Sequence, residues 1–269
     1  KCPLTVSAII TRLANLSFFE GKFPTTFKSA SVTPLLKKPG SDPDNLANYR
    51  PISNLNNISK ILERLFLARL LPHVTASPNF NQLQSAYRPL HSTETSLLFT
   101  LNNVYRASDF GKPTALVALD LSAAFDTIDH GILLNRLNIS FGVSGHVWLW
   151  LQSYLSDRSQ QVSIAGQSSP PTKCTVGVPQ GSVLGPLLFS LYIAPVGHLI
   201  STQGIMHQQY AADTQLYIEL ASSDPQNAIQ KLENCMSKLH LWFCLNGLAL
   251  NPGKSEVVVF GTHQRLRSF

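Results

Sequence analysis

The stretch HQQYAADTQLYIEL, residues 207–220, consists of two short β-runs that meet at a polar corner. The pattern predicts a β-hairpin with Ala211, Ala212 and Asp213 at its corner. In a hairpin of this kind we expect a second carboxylate beside Asp213, and an alanine stands in its place. Two interpretations follow: a metal site that has lost one ligand, or a turn that never held a metal.

An earlier apolar run also ends on a carboxylate. ALVALDL, residues 115–121, predicts a buried strand that ends on Asp120. By position alone, Asp120 could be a simple turn residue. Two carboxylates at strand ends of one small sheet can also converge on a hard cation, and oxygen ligands of this kind suit magnesium.

The rest of the chain predicts an α+β fold, a small sheet with helices packed on one face. Strands are predicted from residue 29 and near 160–165, 174–178 and 256–260. Helices are predicted at 4–18, 58–71, from Ser92 or Thr93 to about 105, and at 146–156, 183–196 and 226–244. The apolar faces of the first two helices are predicted to be Ile9, Ile10, Leu13 and Leu16, and then Ile58, Ile61, Leu62, Leu65 and Phe66.

Composition bounds the class of protein. With 269 residues, 44% hydrophobic and 13% charged, the chain is predicted to fold as one large domain or two subdomains. It begins at Lys1, so we expect a piece of a longer product, and no secretory leader opens it. Four cysteines without metal-ligand spacing argue against a zinc site or disulfide framework and fit a reducing compartment. Prolines and glycines interrupt the apolar run 183–200, which favours a buried core helix over a membrane span.

The net charge of +6 is concentrated near the start of the chain. Residues 1–70 hold ten of the 21 basic side chains and four of the 15 acidic ones, whereas the remainder holds eleven of each. Such a region favours a polyanionic partner, most simply nucleic acid. The alternative is a solvated surface with a few extra lysines. The ten basic residues are Lys1, Arg12, Lys22, Lys28, Lys37, Lys38, Arg50, Lys60, Arg64 and Arg69.

A glycine-rich segment, GVPQGSVLGPLLFSLYI (177–193), predicts a loop that opens a helix. Backbone N–H groups of such a loop can approach a nucleotide closely, and Gln180 can offer an amide. No lysine follows the glycines, so it is not a Walker loop, and Ser182 is misplaced for a nucleophile elbow.

Six segments together resemble the polymerase motifs of reverse transcriptases from non-long-terminal-repeat retrotransposons, the long interspersed elements. The resemblance covers about residues 20–262. In chain order the segments are NYRPISNLNNISKILERL (48–65), SAYRPLHSTETSL (85–97), ALDLSAAFDTIDH (118–130), GVPQGSVLGPLLFSLYI (177–193), YAADTQLYI (210–218) and WFCLNGLALNPGKSEVVVFG (242–261).

This resemblance implies a right-hand polymerase whose palm is a small antiparallel sheet backed by helices. Fingers are expected over residues 1–110, the palm over 111–262, and a tail over 263–269 that leads to a missing thumb. The implied activity is RNA-directed DNA polymerisation with two Mg²⁺ ions, Mn²⁺ being an alternative. The implied partners are an RNA template, a DNA primer and deoxynucleoside triphosphates, with no membrane. The implied location is intracellular, in the cytoplasm and nucleus.

The resemblance also assigns residues to the metal site. Asp120 matches the first metal-binding aspartate, with the backbone carbonyl of Leu121 beside it, and Asp213 matches a hairpin ligand. Lys254 matches a lysine that protonates pyrophosphate; otherwise it is a turn cation. The family has Asp–Asp where this chain has Ala212-Asp213, so one of three carboxylates is replaced by a methyl group, through decay of an element copy or deliberate inactivation.

Nucleotide contacts follow from the same resemblance. Phe125 matches the aromatic gate that crowds a ribose 2′-OH, although a core aromatic is the alternative. Gln180 and Gly181 match positions that hold the incoming nucleotide. Arg50, Lys60 and Arg88 match basic finger positions, or are ordinary surface cations. Lys37, Lys38 and Arg64 are candidates for contacts to nucleic acid.

Three interpretations therefore stand at this stage. The chain is a polymerase core, impaired in this copy by Ala212, or a polymerase-like module that binds nucleic acid without turnover. An α+β protein unrelated to nucleic acid is the third.

Overall fold

The computed structural model of the chain describes residues 4–220 and 224–266. Lys1, Cys2 and the last three residues of the predicted tail lie outside the described residues. Helices and strands are numbered in chain order. The helices of the described part are α1 (Leu4–Glu20), α2 (Asn57–Thr75), α3 (Thr93–Asp109), α4 (His130–Ile139), α5 (Gly145–Leu155), α6 (Gly185–Thr202), α7 (Pro225–Leu245) and α8 (His263–Leu266). Its strands are β1 (Ser29–Leu36), β2 (Tyr49–Asn54), β3 (Thr114–Leu119), β4 (Leu121–Ser122), β5 (Arg158–Ile164), β6 (Gln167–Ser168), β7 (Thr172–Cys174), β8 (Met206–Tyr210), β9 (Asp213–Glu219), β10 (Ala249–Leu250) and β11 (Glu256–Phe260).

The chain divides into two compact units, each made of two segments. Unit 1 comprises Lys1–Ser77 and Phe125–Leu191, and unit 2 comprises Pro78–Ala124 and Tyr192–Phe269. The boundary near residue 191 falls within α6. This division does not test the predicted boundary between fingers and palm at residues 110–111, which stays a prediction.

Unit 1 contains a five-stranded mixed sheet. Its strand order is β2-β1-β5-β6, and β7 also pairs with β5. β1 and β2 are antiparallel, whereas β1 and β5 are parallel with Ser29 opposite Ser159. A parallel pair needs a long connection, and here 121 residues separate β1 from β5 in the chain.

An aromatic cluster forms the core of unit 1. The ring of Trp150 stacks on Phe66 with centroids 3.9 Å apart and meets Phe23 edge-on at 5.3 Å. Tyr154 lies beside them, and both Trp150 and Tyr154 are fully buried. Each such pair contributes about 0.5–1.5 kcal/mol beyond the burial of its area. The cluster joins α2 and α5 to the segment that follows α1.

Unit 2 contains a four-stranded antiparallel sheet in the order β11-β3-β9-β8. A short pair, β10 with β4, continues from the end of β3. Helix α3 packs on this sheet through side-chain hydrogen bonds from Thr100 to Gln215 and from Asn103 to Tyr217. The predicted hairpin and the predicted strands at 115–121 and 256–260 are therefore confirmed, and the structure shows that they are neighbours in one sheet.

Most predicted elements are confirmed, including the helix start at Ser92, whose hydroxyl accepts the Thr95 N–H in a capping box. The predicted faces of the first two helices are partly wrong. In α1, Ile9 and Leu16 are exposed, because the helix packs through the small residues Ala14 and Ser17, and Ser17 accepts a hydrogen bond from the Trp150 indole.

In α2 the buried stripe includes Ser59, Leu62, Glu63 and Phe66, so that Ile58 and Ile61 are each 37% exposed. The stripe is rotated because Glu63 is held inside unit 1 by hydrogen bonds. Strand β2 and helix α4 were not predicted.

The apolar helix α6 is confirmed as a core helix. Of the helices in the described ranges it alone is long and apolar enough to cross a membrane, but 67% of its apolar stretch is buried within the molecule. Burial by protein accounts for its apolar composition.

Candidate active site

Two carboxylates meet at one end of the sheet of unit 2. In the β3–β9 pair, Leu119 lies opposite Thr214. The next residue beyond Leu119 is Asp120, and the residue before Thr214 is Asp213, so both stand at the same end of this pair. The sequence prediction that these two strand-end carboxylates converge is therefore confirmed by the strand register.

Asp120 lies in the gap between β3 and β4. Its backbone carbonyl accepts a hydrogen bond from Asn251 N at 2.9 Å, which ties it to the segment that carries Lys254. The Lys254 ammonium lies 3.5 Å from Asp120 Oδ2, and this lysine side chain is 63% exposed. Within the described ranges, Oδ2 is a buried oxygen that accepts no hydrogen bond. Asp120 Oδ2 therefore has an ion pair with Lys254 but no hydrogen bond, and it can serve as a ligand to a cation.

The surroundings of Asp213 disfavour its charged form. Loss of hydration at the hairpin corner and, second, the Asp120 carboxylate raise the pKa of Asp213, although the Lys254 ammonium opposes this rise. A carboxyl whose pKa is raised by a neighbouring carboxylate has its charge poorly balanced. A cation placed between Asp120 and Asp213 would restore that balance.

The donor set fits a divalent cation only incompletely. Among residues 4–220 and 224–266, no group of three or more His, Cys, Asp or Glu side chains is arranged to hold a metal ion. The hairpin loop between Tyr210 and Asp213 consists of Ala211 and Ala212, and position 212 offers a methyl group. Two carboxylates and a carbonyl such as that of Leu121 suffice to bind one hard cation with the help of water and substrate phosphates.

In unit 1, Phe125 is half-buried and packs on a core residue. Its ring stacks on the fully buried Phe189 with centroids 4.8 Å apart. Its carbonyl accepts the Val178 N–H at 2.9 Å, so it also fixes the glycine-rich loop. The structure therefore gives Phe125 a packing contact and a partly exposed surface, and its assignment as the sugar gate stays a prediction.

The loop that carries Gln180 and Gly181 is packed against β2. Ser53 N donates to Gln180 O at 2.7 Å. Gly181 has φ +111°, and a Cβ there would lie 2.8 Å from Ser53 O, so a larger residue would force these backbones apart. The loop borders a cavity of about 340 Å³ whose lining includes Pro51, Arg158, Lys173 and Gln180. In this structure Gly181 thus allows the close approach of its loop to the backbone of β2.

The predicted basic residues fall into two groups. In unit 1, Lys37 and Arg50 lie at the end of the β1–β2 pair where the connecting loop joins the two strands, and Lys38 follows in that loop. Lys60 and Arg64 lie on α2. Arg50, Lys38 and Arg64 are exposed, and Lys37 Nζ donates to Ala47 O at 2.7 Å. Their roles towards nucleotides and nucleic acid stay predictions.

Arg88, in unit 2, is held by its own loop. Its guanidinium donates to Gln82 O, Gln84 O and Gln82 Oε1 at 2.8–3.1 Å and lies 5.4 Å from the centroid of the Phe80 ring. These contacts favour the alternative that Arg88 is an ordinary cation of the protein surface, held by its own loop. A contact to the triphosphate would have to replace some of them.

Two polar residues with clear structural roles were missed by the sequence analysis. Glu63, fully buried in α2, accepts hydrogen bonds from Val183 N and Leu184 N at 2.8 and 3.1 Å, at the entrance to α6. Gln84 bonds to both backbone groups of Ala211 in the hairpin loop. The acidic residue within an apolar helical stripe was a detectable signal for Glu63, whereas nothing local indicates Gln84.

A family model described as reverse transcriptase (RNA-dependent DNA polymerase) matches residues 36–267 of the chain. The chain is 33% identical over 246 residues to the RNA-directed DNA polymerase from mobile element jockey of Drosophila melanogaster, covering 89% of this chain and 26% of that protein. It is 32% identical over 239 residues to the probable RNA-directed DNA polymerase from transposon BS of the same organism, covering 87% and 26%. The chain thus spans about a quarter of the length of these relatives, and the predicted resemblance is confirmed.

The fold is similar to that of a solved telomerase structure. The structure of apo telomerase from Candida tropicalis, truncated from its C-terminal domain, matches 95% of this chain and 56% of that chain with a TM-score of 0.63. At 10% sequence identity this likeness concerns the fold alone. The predicted α+β fold with fingers and an antiparallel palm sheet is thereby confirmed.

Proposed function

Because the chain belongs to the reverse transcriptase family, whose model matches residues 36–267, we propose that it forms the DNA-polymerising core of a non-long-terminal-repeat retrotransposon protein. In this proposal it extends a DNA primer on an RNA template, with deoxynucleoside triphosphates as substrates. An intracellular location in the cytoplasm and nucleus is part of the same proposal.

The observation that carries this proposal is the strand register that sets Asp120 and Asp213 side by side. Asp120 Oδ2, the Leu121 carbonyl and Asp213 are the groups proposed to hold Mg²⁺, as two ions in the intact family site, or Mn²⁺ in its place. Such ions, when bound, stabilise charge on the attacking and leaving oxygens of a phosphoryl transfer. The buried, unsatisfied Oδ2 of Asp120 supports this assignment.

The proposed reaction forms a bond between the primer 3′ oxygen and the α-phosphorus of the nucleotide. The bond from that phosphorus to the pyrophosphate oxygen breaks, and the 3′-hydroxyl loses its proton to solvent water. Lys254 is proposed to give a proton to the leaving pyrophosphate. Its exposed ammonium, 3.5 Å from Asp120, is at the right end of the sheet for this role.

Selection and binding of the nucleotide are proposed for the residues that the family resemblance assigns. Phe125 would exclude a ribose 2′-OH by its volume, while Gln180 and Gly181 would line the nucleotide site. Arg50, Lys60 and Arg88 are the proposed triphosphate contacts, because a cationic side chain can pair with phosphate oxygens. Of these, Arg88 would first have to leave its loop contacts.

A second candidate function is binding of nucleic acid without turnover. Ala212 is the observation that favours it, since the hairpin then supplies one carboxylate where the resembled motif has two. We infer that this copy is impaired as a polymerase, while its basic surface remains. Both candidates share the family and the fold, and they differ only in activity.

A primer-extension assay beside a gel shift with the same RNA–DNA duplex separates the two candidates. We expect the chain as given to bind the duplex and to extend it little or not at all. Binding should weaken with salt, with a log–log slope of about −0.9 for each phosphate contacted at B-DNA charge density. Neutralising Lys37, Lys38, Lys60 and Arg64 together should flatten the slope; an unchanged slope would place the binding surface elsewhere.

A further inference from the structure

The loop before α3 lies along the β8–β9 hairpin of unit 2. Gln84 and Gln209 form a parallel β-bridge. Its two backbone hydrogen bonds involve the neighbours of Gln84: Ser85 N donates to Gln209 O, and Gln209 N donates to Leu83 O, both at 2.9 Å. The buried Gln208 side chain donates to Ser85 Oγ at 2.6 Å. The loop is therefore fixed to β8 by backbone and side-chain hydrogen bonds.

The side chain of Gln84 reaches further, to the hairpin loop itself. Its Oε1 accepts the N–H of Ala211 at 2.8 Å, and its Nε2 donates to the carbonyl of Ala211 at 3.1 Å. The same Oε1 accepts the Ala86 N–H at 3.1 Å, and Gln84 is only 2% exposed. One buried amide thus holds both backbone groups of a single hairpin residue.

Ala211 needs such support. Its φ of +55° lies in the left-handed region, which is unfavourable for alanine. Non-glycine residues keep this conformation where their surroundings fix it, and they are concentrated at functional sites. The next two residues are Ala212 and Asp213, so the backbone of Ala211 sets where both of these side chains stand.

We propose that Gln84 is a positioning residue for the polymerase reaction. It holds Ala211 in the left-handed conformation and so presents position 212 and Asp213 towards Asp120. The effect of Gln84 on catalysis rests on the proposed function, whereas its effect on the conformation of Ala211 does not. A polar network behind the hairpin supports the same geometry, since Asn81 donates to Gln209 Oε1 and Gln209 donates to Thr214 Oγ1.

The structural consequence can be measured in the chain as given. Gln84→Met keeps the side-chain length and removes all three hydrogen bonds. Gln208→Met is the matched control, because it removes a buried amide from the same loop–strand contact without touching Ala211. We expect amide hydrogen exchange at Ala211 to become at least about tenfold faster in Gln84→Met than in Gln208→Met. Equal exchange at Ala211 in the two variants would overturn the proposal.

The consequence for the metal site is measured in the Ala212→Asp background. Residues that orient metal ligands typically contribute about 10–100-fold to metal affinity. We expect Mn²⁺ titration, followed by electron paramagnetic resonance, to show at least about tenfold weaker binding when Gln84→Met is added. The half-saturating Mg²⁺ concentration for primer extension should rise by a similar factor. Gln208→Met should lower the midpoint of unfolding about as much as Gln84→Met does. It should change neither the Mn²⁺ affinity nor the half-saturating Mg²⁺ concentration.

These measurements separate this inference from the proposed function. If the Ala212→Asp chain binds Mn²⁺ in a Gln84-dependent way but extends no primer, the proposed function fails and the positioning role stands. If the Ala212→Asp chain extends the primer robustly and its Mn²⁺ affinity is unchanged by Gln84→Met, the positioning role fails instead. Should Gln84→Met not fold, Gln84→Asn serves the same test, because its amide is one methylene too short to keep both bonds to Ala211.

Discussion

Two carboxylates, the fully buried Glu63 of unit 1 and the partly exposed Asp120 of unit 2, differ in how their oxygens are hydrogen-bonded. Both carboxylate oxygens of Glu63 accept hydrogen bonds. Oε1 accepts from Ser59 Oγ at 3.0 Å, and Oε2 accepts from the Tyr154 hydroxyl and from two backbone N–H groups. Asp120 Oδ2 is buried without a hydrogen bond in the described part of the chain. The charge of Asp120 also raises the pKa of Asp213, after the larger effect of burial.

The contrast distinguishes a structural carboxylate from one that is held for a ligand. A buried acid is tolerated when several donors satisfy it, and Glu63 meets this condition while it anchors the loop that enters α6. Asp120 does not meet it, and the Lys254 ammonium offers only a partly exposed ion pair. An acid left unsatisfied beside a second acid indicates a place where an external cation completes the site.

The largest expected effect is on activity at the hairpin. We expect Ala212→Asp to raise primer extension in magnesium by several orders of magnitude, because lost metal positioning costs several kcal/mol and about 1.4 kcal/mol corresponds to tenfold in rate. Asp213 cannot take over from position 212, because Asp213 is the first residue of β9, paired with Tyr210, whereas position 212 lies in the turn before it. The rate is measured by single-nucleotide extension on an RNA template.

Two controls define that result. Adding Asp120→Ala to the Ala212→Asp chain should abolish extension again, whereas Glu233→Gln, on the exposed surface of α7, should leave it unchanged. Robust polymerisation by the unaltered chain would show that Ala212 is not the defect, although the family assignment would remain.

The second expected effect is on stability and tests the contrast directly. Glu63→Gln should lower the free energy of unfolding by about 2 kcal/mol, because it places an amide donor among donors and weakens charge-assisted hydrogen bonds. Asp120→Asn should change it by less than about 0.5 kcal/mol, since relief of repulsion with Asp213 offsets the loss of a partly exposed ion pair. Chemical denaturation measures both, with Glu20→Gln on the exposed end of α1 as the control. Equal losses for Glu63→Gln and Asp120→Asn would remove the distinction between the two acids.

His207 on β8 is a buried titratable side chain that carries no charge at neutral pH. Its Nδ1 has no hydrogen-bond partner in the described ranges, and burial lowers the pKa of His207 to about 4. The unfolded chain, with the usual pKa near 6.5, therefore takes up a proton first as the pH falls. Stability should drop as the pH falls from 6.5 towards 4, with about 2 kcal/mol lost at pH 5 through this group.

His207→Gln should remove that part of the acid sensitivity. The measurement is the free energy of unfolding at pH 7 and pH 5 for both chains. If the loss between the two pH values is the same in His207→Gln, the histidine is not the group that titrates.

Local rules were sufficient for the features that local residues determine. The cap at Ser92, the hairpin and the strand that ends on Asp120 follow from spacing and side-chain chemistry within a few residues. The convergence of Asp120 and Asp213 followed from their common position at strand ends, and the register bore it out. The six motif segments placed the rest of the candidate site by resemblance.

Features that depend on distant partners were not predictable in this way. The parallel pairing of β1 with β5 joins segments about 130 residues apart, as Ser29 opposite Ser159 shows. The faces of α1 and α2 were misassigned because Ser17 and Glu63 are buried with their hydrogen-bond partners, which hydrophobic periodicity does not register. The hydrogen bonds from Gln84 to Ala211 join residues that are 127 positions apart in the sequence, so no local pattern predicts them.

The smallest expected effect concerns an aromatic residue for which packing and ligand contact compete. Phe125 stacks on the fully buried Phe189 but is itself only half-buried. If its free surface faces the sugar of the nucleotide, Phe125→Val in the Ala212→Asp chain should raise incorporation of ribonucleotides relative to deoxynucleotides by about tenfold, which corresponds to about 1.4 kcal/mol. Single-nucleotide kcat/KM values for the two sugars measure this. Phe189→Leu is the matched control, because it disturbs the same stack from the buried side and should lower stability without changing the sugar ratio. Identical sugar discrimination in Phe125→Val and its parent would make Phe125 a packing residue, and the contrast between structural and ligand-facing groups would then be confined to the carboxylates.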